Sequence, residues 1–203
     1  MSKRCIIVGA GEFYGCPKPE EDDLVIAADG GYAELKKRNI TPSLLIGDLD
    51  SLGFLPSGIE FISFPKEKDD TDMRLAYLEG KRRGYTDFEI YGGVGGRSDH
   101  TFANYCLLYE ICKNGDSARL IGRNEESFVI TKECYTGAGE AGKTVSVFAF
   151  SDKACGVTIK GLKYEAFDLT LDKSFPLGVS NETVGSDFLI SVRDGALLII
   201  REI

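Results

Sequence analysis

Leu24-Val25-Ile26-Ala27-Ala28-Asp29-Gly30-Gly31, continuing through Tyr32 to Asn39, reads as strand, turn and helix in immediate succession. Five apolar residues in a row fit a strand buried on both faces, and Asp-Gly-Gly is the break that ends it. The pattern that follows closes on Lys36, Lys37 and Arg38, at the helix end whose unpaired carbonyls favour positive charge. A doubly buried strand that feeds a helix is the repeating unit of an α/β fold, so its neighbours should repeat it.

They do. Cys5-Ile6-Ile7-Val8 is a second apolar run and stops at Gly9-Ala10-Gly11. Leu44-Leu45-Ile46 runs into Gly47-Asp48, and Glu60 to Phe64 runs into Pro65-Lys66. From Asp70 to Gly84, Met73, Leu75, Ala76 and Leu78 have near-helical spacing, and Lys81, Arg82 and Arg83 precede a glycine stop. Phe88-Glu89-Ile90-Tyr91 is a fifth strand, leading through Gly92-Gly93-Val94-Gly95-Gly96 to Arg97-Ser98-Asp99-His100. A helix from about Asp99 to Lys113 is expected next, with Ser98 as N-cap and Asn114-Gly115 as its stop. After about Thr131 the texture changes. Residues 137–142 read as a linker or turn, and Thr144 to Phe150, Gly156 to Lys160, Leu162 to Leu171, Phe188 to Arg193 and Ala196 to Arg201 are short β-rich runs. The fold class is therefore α/β, an N-terminal mostly parallel sheet flanked by helices, plus a C-terminal all-β sandwich or barrel-like domain. The expected domains are 1–131 and 132–203, the second small enough to need packing against the first or another subunit.

The 203 residues carry 24 Lys and Arg against 32 Asp and Glu, a net charge of -8. With no basic run to neutralise phosphates, this excludes a broad nucleic-acid or anionic-membrane surface. The six cysteines are scattered without a C-x-x-C pair, which predicts buried free thiols in a reducing compartment. The first apolar run is too short for a signal peptide or a membrane span, so a cytoplasmic location is expected.

In parallel sheets ligands bind outside the carboxyl ends of the strands, and the glycine and aspartate segments fall there. Two aspartate groups stand out, Asp48 and Asp50, then Asp69, Asp70 and Asp72. Two carboxylates about 4 Å apart repel by roughly 4 kcal/mol at an effective dielectric of about 20, so clustering them calls for a cation or protons. Hard oxygen donors point to Mg²⁺ or Ca²⁺. Asp48 and Asp50, one residue apart on an extended segment, project to the same side and can grip one ion. If the next helix starts at Asp69 or Asp70, Asp69 and Asp72 share a face of its first turn, as caps or as ligands, direct or through water. Lys66 and Lys68 stand beside them, and Arg97 can clamp phosphate oxygens next to a glycine run that admits backbone amides. His100, the one histidine, is a ligand contact or a structural residue. Acidic metal ligands, a phosphate clamp and no hydrolase nucleophile together indicate metal-assisted phosphoryl or diphosphoryl transfer from a nucleotide.

One motif is set aside. Gly137-Ala138-Gly139-Glu140-Ala141-Gly142-Lys143-Thr144 spells a Walker phosphate loop, but Val145 to Phe150 alternates at period two and predicts a strand where that loop requires a helix.

The ordered set resembles the thiamine pyrophosphokinase family, particularly its bacterial members. The series is Asp29-Gly30-Gly31, Gly47-Asp48-Leu49-Asp50-Ser51, Lys68-Asp69-Asp70-Thr71-Asp72, and Gly95-Gly96-Arg97-Ser98-Asp99-His100 with Asn104. Gly161-Leu162-Lys163-Tyr164 and Gly178-Val179-Ser180-Asn181-Glu182 resemble the family's thiamine-binding domain. The resemblance implies transfer of the diphosphate of ATP to the hydroxyl of thiamine, with Mg²⁺, in a homodimer whose active sites lie between subunits. It assigns Mg²⁺ to Asp48, Asp50 and Asp72, catalysis to these with Arg97 and Asp99, and thiamine to Asp99, Ser180 and Asn181. It gives the nucleotide to Asp29, Gly30, Ser51, Lys68, Asp69, Thr71, Gly95, Gly96, Arg97, His100 and Asn104. With no tryptophan in the chain, stacking on the thiamine ring falls to Phe, Tyr or an aliphatic residue. The competing readings are a diphosphokinase acting on a hydroxymethyl-pterin and a noncatalytic module that binds a cation or nucleotide.

Overall fold

The computed structural model describes residues 3–47, 58–64 and 70–203. The chain divides into two compact units, one of residues 1–107 and 115–123, the other of 108–114 and 124–203.

In the first unit the strands are β1 (Cys5–Val8), β2 (Leu24–Ala28), β3 (Leu44–Gly47), β4 (Glu60–Ser63), β5 (Asp87–Tyr91) and β6 (Ser117–Ile121). They lie in the order β6-β5-β1-β2-β3-β4, and each pair is parallel. The crossovers are α1 (Gly31–Lys37) between β2 and β3, α2 (Asp72–Arg82) between β4 and β5, and α3 (Ser98–Lys113) after β5. β1, β2 and β3 are buried at every residue. Helices on both faces explain why. Ile6, Val8, Val25, Ala27 and Leu45 cluster with Leu35 of α1. On the opposite face, Gly80 of α2 approaches so closely that a Cβ there would lie 2.8 Å from the Cys5 sulfur. Tyr77 of α2 meets Phe88 of β5 edge to face at 5.0 Å.

The sequence places α2 at Asp69 or Asp70, whereas it starts at Asp72 with Thr71 as its cap, the hydroxyl accepting from Arg74 N at 3.2 Å. A hydroxyl that satisfies a first-turn amide fixes the start. Similarly α3 begins at Ser98 itself, and the Arg97 carbonyl accepts the first helical bond, from Thr101 N at 3.1 Å.

In the second unit β7 (Glu125–Thr131), β8 (Cys134–Gly137), β9 (Thr144–Ala149), β10 (Lys153–Lys160), β11 (Ala166–Asp172), β12 (Asn181–Glu182), β13 (Phe188–Ser191) and β14 (Ala196–Glu202) form two antiparallel layers. One runs β12-β9-β14-β7, the other β11-β10-β13-β8. Alternate residues of both, among them Phe128, Ile130, Val145, Val147 and Leu197 facing Val157, Ile159, Phe188 and Ile190, make one core. The expected strand from Leu162 begins only at Ala166, because 161–165 turn back, with the Glu165 carboxylate accepting from Gly161 N at 2.8 Å.

All six cysteines are free thiols. The expectation that they are buried holds for Cys5 but not for Cys16, Cys106 and Cys134, which are exposed. Cys106 lies on the outer face of α3, and Cys134 opens a strand whose alternate residues face out. Among the described residues no helix is long and apolar enough to cross a membrane.

Candidate active site

The strand order changes direction between β1 and β5, since the chain fills β2 to β4 on one side and then returns to the other. Loops leaving such a switch point diverge and open a crevice. Here the loop after β1 and the loop after β5 are joined main chain to main chain. Gly9 N donates to Tyr91 O at 2.8 Å, Gly11 N to Gly92 O at 2.8 Å, and Glu12 N to Val94 O at 3.0 Å. Gly92 makes this approach possible. Its φ is +62°, and a Cβ on it would stand 2.4 Å from the Gly9 carbonyl oxygen. Asn104 of α3, 6% exposed, donates Nδ2 to Gly93 O at 2.7 Å and ties the loop to the helix.

The resulting cleft has a volume of about 730 Å³, a size suited to a small-molecule ligand. Its walls are loop glycines, Ala28 and Asp29 at the end of β2, residues 70–73 entering α2, and Arg97, His100, Ala103 and Asn104. Two helix N-termini thus open on one cavity, with backbone amides and dipole ends that favour an anion. Asp29 takes φ +49°, uncommon for a residue with a side chain, while its amide donates to Ile46 O at 2.8 Å.

Arg97 and Asp99 form a two-pronged pair, Nε to Oδ1 at 3.1 Å and Nη2 to Oδ2 at 2.6 Å, with the side chains 71% and 63% exposed. These hydrogen bonds, with one from His100 N, hold the Asp99 carboxyl down to about 2. Asp70 is occupied by its own helix, bonding Arg74 Nη1 at 2.6 Å. Among the described residues no three acidic, histidine or cysteine side chains converge into a metal cage. Mg²⁺ that accompanies a polyphosphate needs only one or two carboxylates, with phosphate and water oxygens completing its shell. Asp72 on the cleft wall is such a hard oxygen donor, so the residues present fit the ion.

Of the expected nucleotide-site residues, Asp29, Thr71, Gly95, Gly96, Arg97, His100 and Asn104 line this one cleft, and Asp72, expected as a metal ligand, lines it with them. Gly30 caps α1 one residue beyond Asp29. Asp99 holds Arg97. Asp48, Asp50, Ser51, Lys68 and Asp69 lie outside the described residues. Met73 and Ala103 line the cleft too, and sequence reasoning took Met73 only for a core position.

In the second unit Ser180 is exposed at φ +58°, and its amide donates to Ser146 Oγ at 3.0 Å. Asn181 is buried and its side-chain amide is engaged through both its oxygen and its nitrogen. Its Oδ1 accepts from Tyr164 N and Glu182 N, both at 2.9 Å, and its Nδ2 donates to Tyr164 O at 2.7 Å. It thereby fastens residue 164, in one of the two expected thiamine-side segments, to the other. Lys143 of the Walker-like stretch precedes strand β9 and pairs with Glu202 at 2.9 Å, so no helix N-terminus follows it.

Residues 19–120 match the family described as thiamin pyrophosphokinase, catalytic domain, and residues 129–197 match thiamin pyrophosphokinase, vitamin B1 binding domain. The chain is 28% identical over 189 residues to the thiamine pyrophosphokinase of Bacillus subtilis (strain 168), covering 90% of this chain and 88% of the relative. The crystal structure of thiamine pyrophosphokinase from Bacillus subtilis superposes with a TM-score of 0.88 at 26% identity, over 98% of this chain and 99% of that one. That of thiamin pyrophosphokinase from Geobacillus thermodenitrificans gives 0.85 at 26% identity, over 98% and 97%.

Proposed function

The chain belongs to the thiamin pyrophosphokinase family, and on that premise we propose which of its groups carry each part of the reaction. The activity is transfer of the diphosphate of ATP to the hydroxyl of thiamine, giving thiamine diphosphate and AMP. One observation carries the placement of the nucleotide: the glycine-walled cleft at the switch point, faced by two helix N-termini and Arg97. Residues 1–131 then serve as the ATP-binding catalytic domain and residues 132–203 as the thiamine-binding domain.

In the transfer the thiamine hydroxyl oxygen forms a bond to the β-phosphorus, the bond from that phosphorus to the bridging α,β-oxygen breaks, and AMP leaves with the bridging oxygen. Arg97 supplies a planar cation with several donors for the phosphate oxygens, and Asp99 keeps it aimed. A carboxyl held near 2 is a weak base, so Asp99 serves as this orienting group and thiamine contact rather than as acceptor of the hydroxyl proton, which passes to water. Bound Mg²⁺ would neutralise charge developing on the polyphosphate, held by Asp48, Asp50 and Asp72. Ser180, exposed at a bend, is the direct thiamine contact in the second unit, and Asn181 acts through the backbone of Tyr164. The assembly is a cytoplasmic homodimer. Support for the dimer comes from Tyr164, Phe167, Phe175, Leu177 and Val179, large apolar side chains exposed in the second unit.

Incubating the protein with ATP, Mg²⁺ and thiamine should release AMP and thiamine diphosphate in equal amounts. Absence of AMP with thiamine, or AMP only with a hydroxymethyl-pterin acceptor, would overturn the assignment. Because Lys143 is engaged by Glu202 on a strand, Lys143→Ala should leave ATP affinity within about twofold, measured by nucleotide titration. A large loss would restore the Walker reading.

A further inference from the structure

The cleft's glycine loop is gripped from outside by a carboxylate that the reaction does not use. Glu12 follows the β1 loop, is exposed, and is absent from the cleft lining. Its amide bonds Val94 O in an isolated antiparallel bridge. Its carboxylate accepts from the Tyr14 hydroxyl, and the nearby Gly96 amide and Arg123 add attraction, so that Glu12 stays below the usual carboxylate range. Arg123 in turn sits over the Tyr14 ring, 5.7 Å from its centroid. The side chain of Glu12 lies directly across Gly95. A Cβ there would be 2.6 Å from Glu12 Cδ, and Gly95 and Gly96 both take left-handed φ values, +77° and +63°.

A run containing four glycines between positions 92 and 96 has more backbone freedom to lose than an ordinary loop of that length, and whatever orders it in advance lowers the cost of binding. We propose that Glu12 is a positioning residue for the reaction: its carboxylate, with Tyr14 and Arg123 behind it, presets the Gly95-Gly96 segment in the shape that receives the nucleotide polyphosphate beside Arg97. This rests on the reading of the cleft as the ATP site. Because the grip is on the loop and not on the acceptor, its loss falls on ATP and spares thiamine. Glu12→Gln keeps the side chain's shape against Gly95 and an acceptor oxygen for the Tyr14 hydroxyl, and should largely rescue. Tyr14→Phe removes one support and should fall between.

The test compares the full-length wild type with Glu12→Ala, Glu12→Gln and Tyr14→Phe in ATP titrations, steady-state kinetics and hydrogen exchange of residues 92–97. In Glu12→Ala the loop amides should exchange faster without nucleotide, and the ATP KM should rise about 5- to 20-fold with the thiamine KM within about twofold. Unchanged exchange of the nucleotide-free loop in Glu12→Ala, or an equal rise in both KM values, would overturn the role of Glu12 while leaving the ATP site intact. Failure of ATP to slow exchange at 92–97 in the wild type would instead overturn the ATP reading of the cleft, and this inference with it.

Discussion

Replacing Arg97 by Met is expected to lower kcat/KM for ATP by about 10²- to 10³-fold, the scale on which removing a preorganised charge-stabilising donor acts. The thermal midpoint should hardly move, because the side chain is 71% exposed and the start of α3 uses the Arg97 main-chain carbonyl, which methionine keeps. The loss is large because the guanidinium is already aimed, by the two hydrogen bonds it donates to one carboxylate, at the mouth of a cleft walled by glycine. Arg97→Lys should recover only part of it, since an ammonium cannot reproduce the planar fork. A second readout isolates the pair. With Arg97 gone, the Asp99 carboxyl should climb from about 2 toward the ordinary range, which a carboxyl-carbon NMR titration would follow. Asp99 is depressed in the folded state, so the contribution of the pair is complete above the ordinary carboxylate range and is lost as pH falls toward about 2. Wild-type turnover in Arg97→Met would remove Arg97 from the machinery.

Gly92→Ala should be among the most damaging single-methyl changes in the chain, at about 2–5 kcal/mol of folding stability. Roughly 1–2 kcal/mol is the cost of a left-handed φ for a residue with a Cβ, and about 1–3 more comes from forcing apart packed groups. The obstacle here is the Gly9 carbonyl at 2.4 Å, main chain that cannot rotate away. Gly84→Ala supplies the control. Its φ is +84° with nothing within 4 Å of the added methyl, so only the left-handed term of about 1–2 kcal/mol should appear. Urea melts of both variants separate the two contributions. Equal midpoints would mean that the loops after β1 and β5 can part at no cost.

The α/β half was legible because a strand covered by helices on both faces needs an unbroken apolar run, as in Cys5–Val8 and Leu24–Ala28. β6 escaped notice for the opposite reason. Ser117 to Ile121 alternates exposed and buried residues over five positions with an arginine in the middle, too short a pattern to stand out from a loop. β7 opens with three polar residues, of which Glu126 is buried and bonded to Arg201, a pairing that no local pattern announces. The start of α2 was ambiguous because Asp69, Asp70 and Thr71 are all capping types, and only the Thr71 hydroxyl bond chooses among them. The cleft itself was readable since turn residues at strand ends are local signals, and the switch-point rule gathers them. What joins those segments was not readable. The Asn104 bond to Gly93 and the closeness of the Glu12 side chain to Gly95 link residues apart in sequence, and each uses a backbone partner that carries no side-chain signature.

The joining of the β1 and β5 loops through Gly9, Gly11 and Glu12 has a consequence for engineering this chain toward other nucleotides or acceptors. A cradle built of amide-to-carbonyl bonds offers almost nothing for substitution to adjust: its glycines Gly9, Gly11 and Gly92 accept no replacement without parting the loops, and its donors belong to every amino acid but proline. Variation in substrate range must therefore come from the few side chains standing around the cradle, His100, Thr71, Met73 and Ala103 among them, while the phosphate-facing floor stays fixed.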